Sequence, residues 1–239
     1  MQFDKKGNSP VLAVNCLLKG VKLLAHPGLR QFLLIPVAIN VLLYSIMLFL
    51  GYHYVGELIE QFIPSWLQWL SWVLWPLFFI SFFIVGFFTF TVFANILSAP
   101  FYGKLAAKTL AISGGQTANV IEQPVTKVVS AELRRAGYFV SRALPLLIVS
   151  IIPGVNLLAP FLWGFFGAWG VALEYLAYPL ENEGVLFGEQ RQLVKGVKLG
   201  AVSFGGLVAL GLTLPVVNII VAPVAVIAAT LYVHELKRN

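Results

Sequence analysis

Charged residues leave four long gaps in this chain of 239 residues, and those gaps constrain the fold more than any local propensity. No Asp, Glu, Lys or Arg occurs in residues 31–56 (26 residues), 61–103 (43), 143–173 (31) or 199–234 (36). A helix needs about 20 apolar residues, rising roughly 1.5 Å each, to cross the hydrocarbon core of a bilayer. Soluble domains carry about a quarter charged residues; here 11% are charged and 59% hydrophobic, so a water-facing surface cannot be covered. A soluble enzyme and a disordered chain are thereby excluded. With Cys16 as its one cysteine, the chain is no disulfide scaffold either. It reads as an all-α integral membrane protein, a single membrane domain over 1–239. Two long transmembrane helices, two proline-bracketed and partly inserted helical hairpins, and interfacial amphipathic helices are expected.

The first gap predicts a transmembrane helix over 28–56. The second predicts another over 70–97, approached through Trp66, Trp69, Trp72 and Trp75, a spacing suited to the headgroup level. The other two gaps are each broken near the middle. One break reads Ile152-Pro153-Gly154-Val155-Asn156-Leu157-Leu158-Ala159-Pro160, the other Leu214-Pro215-Val216-Val217-Asn218-Ile219-Ile220-Val221-Ala222-Pro223. Both place Asn three residues after the first Pro and close on Ala-Pro, an internal repeat of two hairpins over 142–176 and 197–235. Proline removes a backbone donor and disfavours helix at the residue before it, so each motif is an apex between two legs. The first rising leg, 142–152, offers about 16 Å of helix against a core of about 30 Å, which favours a re-entrant hairpin. The legs of the second hairpin are long enough for tilted spans. Ordinary hairpins kinked by proline are the competing reading.

Amphipathic periodicity predicts interfacial helices over 10–25 and 124–142. Val11, Val14, Leu17, Leu18, Val21 and Leu24 form the stripe of the first, and Ser9-Pro10 supplies its cap and first turn. The first 30 residues lack the compact apolar run of a signal peptide. A net charge of +6 is consistent with nucleic-acid binding, but basic loops at a membrane are the simpler source, and no nucleic-acid partner is expected. All 16 basic residues fall in the N-terminal arm, in 104–142, in 191–198 or at Lys237-Arg238, whereas loop 57–65 holds two Glu and no cation. Two spans followed by two hairpins put every cation on the cytoplasmic face.

No catalytic set emerges. His26, His53 and His234 are far apart and show no metal-ligand spacing, no phosphate-cradling loop is present, and no cofactor or metal is implied. The informative segment is His26-Pro27-Gly28-Leu29-Arg30, directly before the first span. Pro27 suits a helix start, Gly28 permits close approach, and the amides of Gly28, Leu29 and Arg30 are expected as free first-turn donors beside the Arg30 guanidinium. Such a set suits sulfate or phosphate; contact with lipid phosphate or the cytoplasm is the alternative for Arg30. Glu132, Arg134 and Arg135 form either a charged network near a pore or a solvated interfacial face. Asn156 and Asn218, at the two apices, either line a path or cap the second legs.

The order of these motifs resembles the CysZ-type sulfate permeases of bacterial cysteine biosynthesis. The resemblance rests on Pro27-Gly28-Leu29-Arg30, on Trp66-Leu67-Gln68-Trp69-Leu70-Ser71 leading to Leu74-Trp75-Pro76-Leu77, and on Ala99-Pro100-Phe101-Tyr102-Gly103. It includes both apices, with Ala159-Pro160 and Pro223-Val224-Ala225-Val226, and the series Tyr178-Pro179, Asn182, Phe187 and Arg191. It implies sulfate uptake across the bacterial inner membrane for sulfur assimilation, in the lipid bilayer, by a homo-oligomer built from antiparallel pairs. It also implies sulfate binding at Gly28, Leu29 and Arg30, and a family counterpart for Glu132. Gln31 stands where the family commonly has a second Arg, a change expected to weaken the site. Ala177 and Glu183 replace an expected Asp and His. A membrane scaffold or regulatory subunit without intrinsic transport is the rival; an enzyme acting on lipid phosphates lacks a catalytic base.

One-sided charge and antiparallel pairing give opposite outcomes for a single measurement. Cysteines placed in loop 57–65 label with impermeant maleimide from outside alone if charge sets one orientation, and from both faces if the subunits alternate.

Overall fold

The structure, a computed structural model, describes residues 3–4, 7–114, 123–214 and 217–238. Every regular element among them is helical: α1 (Pro10–Leu24), α2 (Pro27–Phe62), α3 (Ser71–Ile112), α4 (Val125–Ile151), α5 (Ala159–Glu181), α6 (Phe187–Gly196), α7 (Lys198–Leu212) and α8 (Asn218–Arg238). Short 3-10 turns, Ser65–Leu70 and Val155–Leu158, precede α3 and α5. Four stretches are long and apolar enough to cross a membrane: Pro27–Phe62, Ser65–Gly86, Val155–Glu181 and Asn218–Lys237. The chain is an all-α integral membrane protein. It divides into one unit formed by Met1–Phe32 with Pro100–Asn239 and a second formed by Leu33–Ala99.

In the second unit, α2 and α3 pair through aromatic rings seated against glycines. Phe78 reaches within 3.0 Å of where a Cβ on Gly51 would stand, Trp75 lies over Gly56, and Tyr44 lies over Gly86. The Tyr44 hydroxyl meets that of Thr89, which also donates to the Val85 carbonyl, so the polar atoms are served inside the helix pair. Trp75 stacks on Tyr52 with ring centres 4.7 Å apart. Trp66, Trp69 and Trp72 are exposed.

In the first unit, α8 runs through the core, with Val224, Ala225, Val226, Ile227, Ala228 and Ala229 all buried. Lipid tails give no hydrophobic drive between helices, so small residues that let backbones approach carry the packing. Gly20 of α1 is set against the Val224 carbonyl and Ala228 of α8, and Gly205 of α7 against Ala168 and Ala172 of α5. Cys16 shares the buried face of α1, and burial pushes its thiol up to about 11, leaving it protonated and quiet at neutral pH. The opposite face of α1 exposes Val11, Leu18 and Val21 beside Lys19 and Lys22. At the start of α7, the Asn8 side chain accepts the amides of Leu199 (2.7 Å) and Gly200 (3.1 Å), a cap supplied from 191 residues away.

The first apex opens after α4: Ile152 is extended, Gly154 takes a φ of +83°, and Pro160 falls in the first turn of α5. Only glycine adopts that φ readily. At the second apex Pro215 and Val216 lie outside the described residues, and Pro223 sits inside α8 instead of closing the break. There its ring removes the bond that would otherwise reach the Ile219 carbonyl. α4 carries no break at Arg142; it continues past Pro145 to Ile151 as a 27-residue rod of about 40 Å.

Gly205 tests the packing. Gly205→Ala sets a methyl 1.9 Å from the Ala168 carbonyl oxygen, whereas Gly206→Ala meets only the Ala168 Cβ at 3.6 Å. The first substitution is expected to cost about 1–3 kcal/mol and lower the thermal midpoint in detergent, and the second to leave it unchanged.

Candidate functional site

The start of α2 is built by His26. Its Nδ1 accepts the Gly28 amide at 3.1 Å, and its carbonyl accepts the amides of Leu29 (2.9 Å) and Arg30 (3.1 Å). The expectation of three free first-turn donors is therefore corrected. An imidazole nitrogen at the cap position does the work of a Ser or Asn oxygen, and Pro27 has no N–H to satisfy. The Leu29 side chain is fully buried and anchors the turn in the core, while Arg30 is exposed and Gly28 half-buried. Lys108 of α3 comes to the same place: a Cβ on Gly28 would stand 3.3 Å from Lys108 Cε and 3.3 Å from His26 Nδ1. No carboxylate among the described residues is in ion-pair range of Arg30 or Lys108. Two cations without a carboxylate partner among the described residues thus flank Gly28. Lys108 and the capping role of His26 carried no local signal, since both depend on how the turn folds.

A second polar centre joins α4, α5 and α6. Arg135 pairs with Glu132 at 2.8 Å and with Glu181 at 2.9 Å, and donates to Gln190 Oε1 at 2.9 Å. Gln190, almost fully buried, in turn donates to the Val185 carbonyl at 2.8 Å. Of the three charged residues singled out on α4, the structure brings Glu132 and Arg135 together; Arg134 is exposed and makes no ion pair among the described residues. Glu181 and Gln190 were missed because they stand 46 and 55 residues from Arg135. Asn156 is exposed beside the first apex, and Asn218 opens α8 with its Oδ1 buried and unbonded.

The series from Tyr178 to Arg191 has a packing role. Tyr178 meets Tyr102 edge-on at 5.3 Å, Asn182 Nδ2 donates to the Gly103 carbonyl at 2.8 Å, and Phe187 meets Tyr138 at 5.6 Å. Glu183, where a His was expected, is ion-paired with Lys237. Among the described residues no group of His, Cys, Asp and Glu could hold a metal ion.

A family model described as sulfate transporter CysZ/etoposide-induced protein 2.4 matches residues 16–223. A sulfate transporter CysZ of Pseudomonas syringae pv. tomato is 39% identical across 90% of this chain and 89% of its own length. One from Pseudomonas fluorescens is 38% identical across 94% of each chain. One from Pectobacterium atrosepticum is 35% identical across 95% of this chain and 86% of its own.

Capping by His26 is separable from any ligand contact. His26→Ala is expected to cost about 1 kcal/mol of stability, and His26→Asn to restore most of it, as read by thermal unfolding in detergent.

Proposed function

Because the chain belongs to the sulfate transporter CysZ/etoposide-induced protein 2.4 family, we propose that it carries sulfate across the bacterial inner membrane to feed sulfur assimilation and cysteine synthesis. The observation that carries this reading is identity of 35–39%, over nine-tenths of the chain or more, to proteins named sulfate transporters. The protein works as a channel or permease and not as an enzyme, and no nucleotide-binding loop in its sequence supplies energy.

Moving a divalent oxyanion means replacing strong hydration with charged donors. Arg30 offers a planar fork and Lys108 a point charge, both exposed beside Gly28. The Gly28 amide joins them only when the His26 ring turns away. Gln31 leaves this mouth without a second arginine, and Lys108 restores the lost charge from another helix. Sites of moderate strength favour conduction, since an ion must leave as readily as it enters.

The first hairpin enters the bilayer from one side, a reading supported by the apolar side chains at its tip. Ile151, Leu157 and Phe161 are 70–79% exposed there, which lipid or a neighbouring subunit tolerates and water does not. Homo-oligomers, including antiparallel pairs, give the freed backbone of such tips a protein environment.

Sulfate flux into proteoliposomes is the test. Arg30→Ala is expected to lower flux about tenfold, the loss of one charged, forked contact. Unchanged flux removes this site from the mechanism, and absence of flux from the unaltered protein favours the scaffold reading instead.

A further inference from the structure

Three arginines converge where α4 meets α6, and only one of them is matched by acid. Arg135 is held by Glu132 and Glu181. Arg142 stacks with its Cζ 3.8 Å from the centre of the Tyr138 ring, and Arg191 with its Cζ 5.2 Å from the same centre. Neither has a carboxylate in ion-pair range among the described residues. The acceptors Arg142 does have, the Tyr138 carbonyl and Ser141 Oγ, are both at a long 3.4 Å. Two guanidinium N–H groups, on Nε of Arg191 and Nε of Arg135, are shielded from solvent with no acceptor. A buried donor left unmatched is costly, more so when it is charged, so the Arg191 donor points to an acceptor from outside the chain.

Tyr138 supplies the third kind of donor. Its hydroxyl accepts the Trp169 indole N–H at 2.8 Å, so its own proton is free to be donated onward. The ring itself is buried and pinned edge-on against Phe187, which fixes the plane on which both guanidiniums rest. Cation–π stacking holds a guanidinium in place without consuming its in-plane N–H groups. With Glu132 and Glu181 taken up by Arg135, what Arg142, Arg191 and the Tyr138 hydroxyl present is oriented donors and positive charge.

We propose that Arg142, Arg191 and the Tyr138 hydroxyl form a second oxyanion-binding station, separate from the one at Arg30, for a free tetrahedral dianion of sulfate or phosphate size. That the dianion is the transported one rests on the function proposed above. The station gives a passing anion an inner resting place once it leaves the mouth. It also gives Arg191, marked in the sequence only by resemblance, a chemical task.

Equilibrium binding of radiolabelled sulfate to the purified full-length protein tests the station. The unaltered protein is expected to bind two sulfates per chain. Arg30→Ala is expected to leave one, and Arg142→Gln with Arg191→Gln to leave the other. Tyr138→Phe keeps the ring on which both arginines stack and removes the hydroxyl together with its hydrogen bond from Trp169; it is expected to weaken the inner site about tenfold. Unchanged stoichiometry and affinity in the double variant and in Tyr138→Phe overturns the station even where Arg30→Ala lowers binding. Loss of binding in Arg30→Ala alone would leave the function proposed above standing and the station refuted. Reconstitution in phosphatidylcholine and in phosphatidylglycerol separates the two sources of anion. Two sulfates bound in both lipids supports a free dianion, whereas an inner site that takes up only anionic lipid overturns it.

Discussion

The approach of α7 to α5 at Gly205 governs the first unit, because a helix pair in lipid has little to hold it besides contact. With the Ala168 carbonyl and the Ala172 amide against that glycine, the two backbones touch without intervening side chains. Much else follows from this closeness. α6 and α7 meet at a bend of 106°, so fixing α7 on α5 also fixes the line along which α6 leaves. α6 brings Gln190 and Arg191, α5 brings Glu181, and their meeting with Arg135 and Tyr138 of α4 is a consequence of backbone packing one helix away. A charged cluster partly withdrawn from water needs this rigidity, since a guanidinium that loses an acceptor to helix motion pays a desolvation cost with no return.

Much of this was readable from where charges are absent. Gaps of 26 and 43 residues pointed to an all-α chain with helices apolar enough to cross a membrane. Short-range rules failed where a residue's role depends on a distant partner. The repeat closed both breaks on Ala-Pro, but whereas Pro160 stands in the first turn of α5, Pro223 lies inside α8, where it removes a helix hydrogen bond. Asn8 capping α7, and Glu181 and Gln190 closing on Arg135, are pairings across 46 to 192 residues that no window of helical period contains. Resemblance did better for Asn182 and Arg191, marking them as special while giving no account of what they touch.

The candidate mouth shows how a local rule about helix starts can be wrong about the atoms. A helix N-terminus with Pro, Gly and Arg does have orphan amides in principle. In this chain the residue before the proline is His26, whose ring and carbonyl take up all three. What remains for an anion is charge on flexible stems, Arg30 and Lys108, with one amide in reserve.

That distribution bears on how an anion site in a membrane protein can be both selective and quick to release. A nest of rigid amides holds a dianion tightly and gives it up slowly. Exposed side-chain cations are screened by salt over about 8–10 Å and hold it less firmly, but they raise its local concentration and steer it inward. On the proposed reading, strength belongs further along, where Arg142 and Arg191 are stacked on a fixed ring and no carboxylate competes with the ligand. Arg135 differs from both because Glu132 and Glu181 already occupy it, which makes it a brace for the cluster and leaves binding to its unmatched neighbours. On that reading, the separation of matched from unmatched arginines, set by which helix faces which, decides where along the chain a dianion can rest.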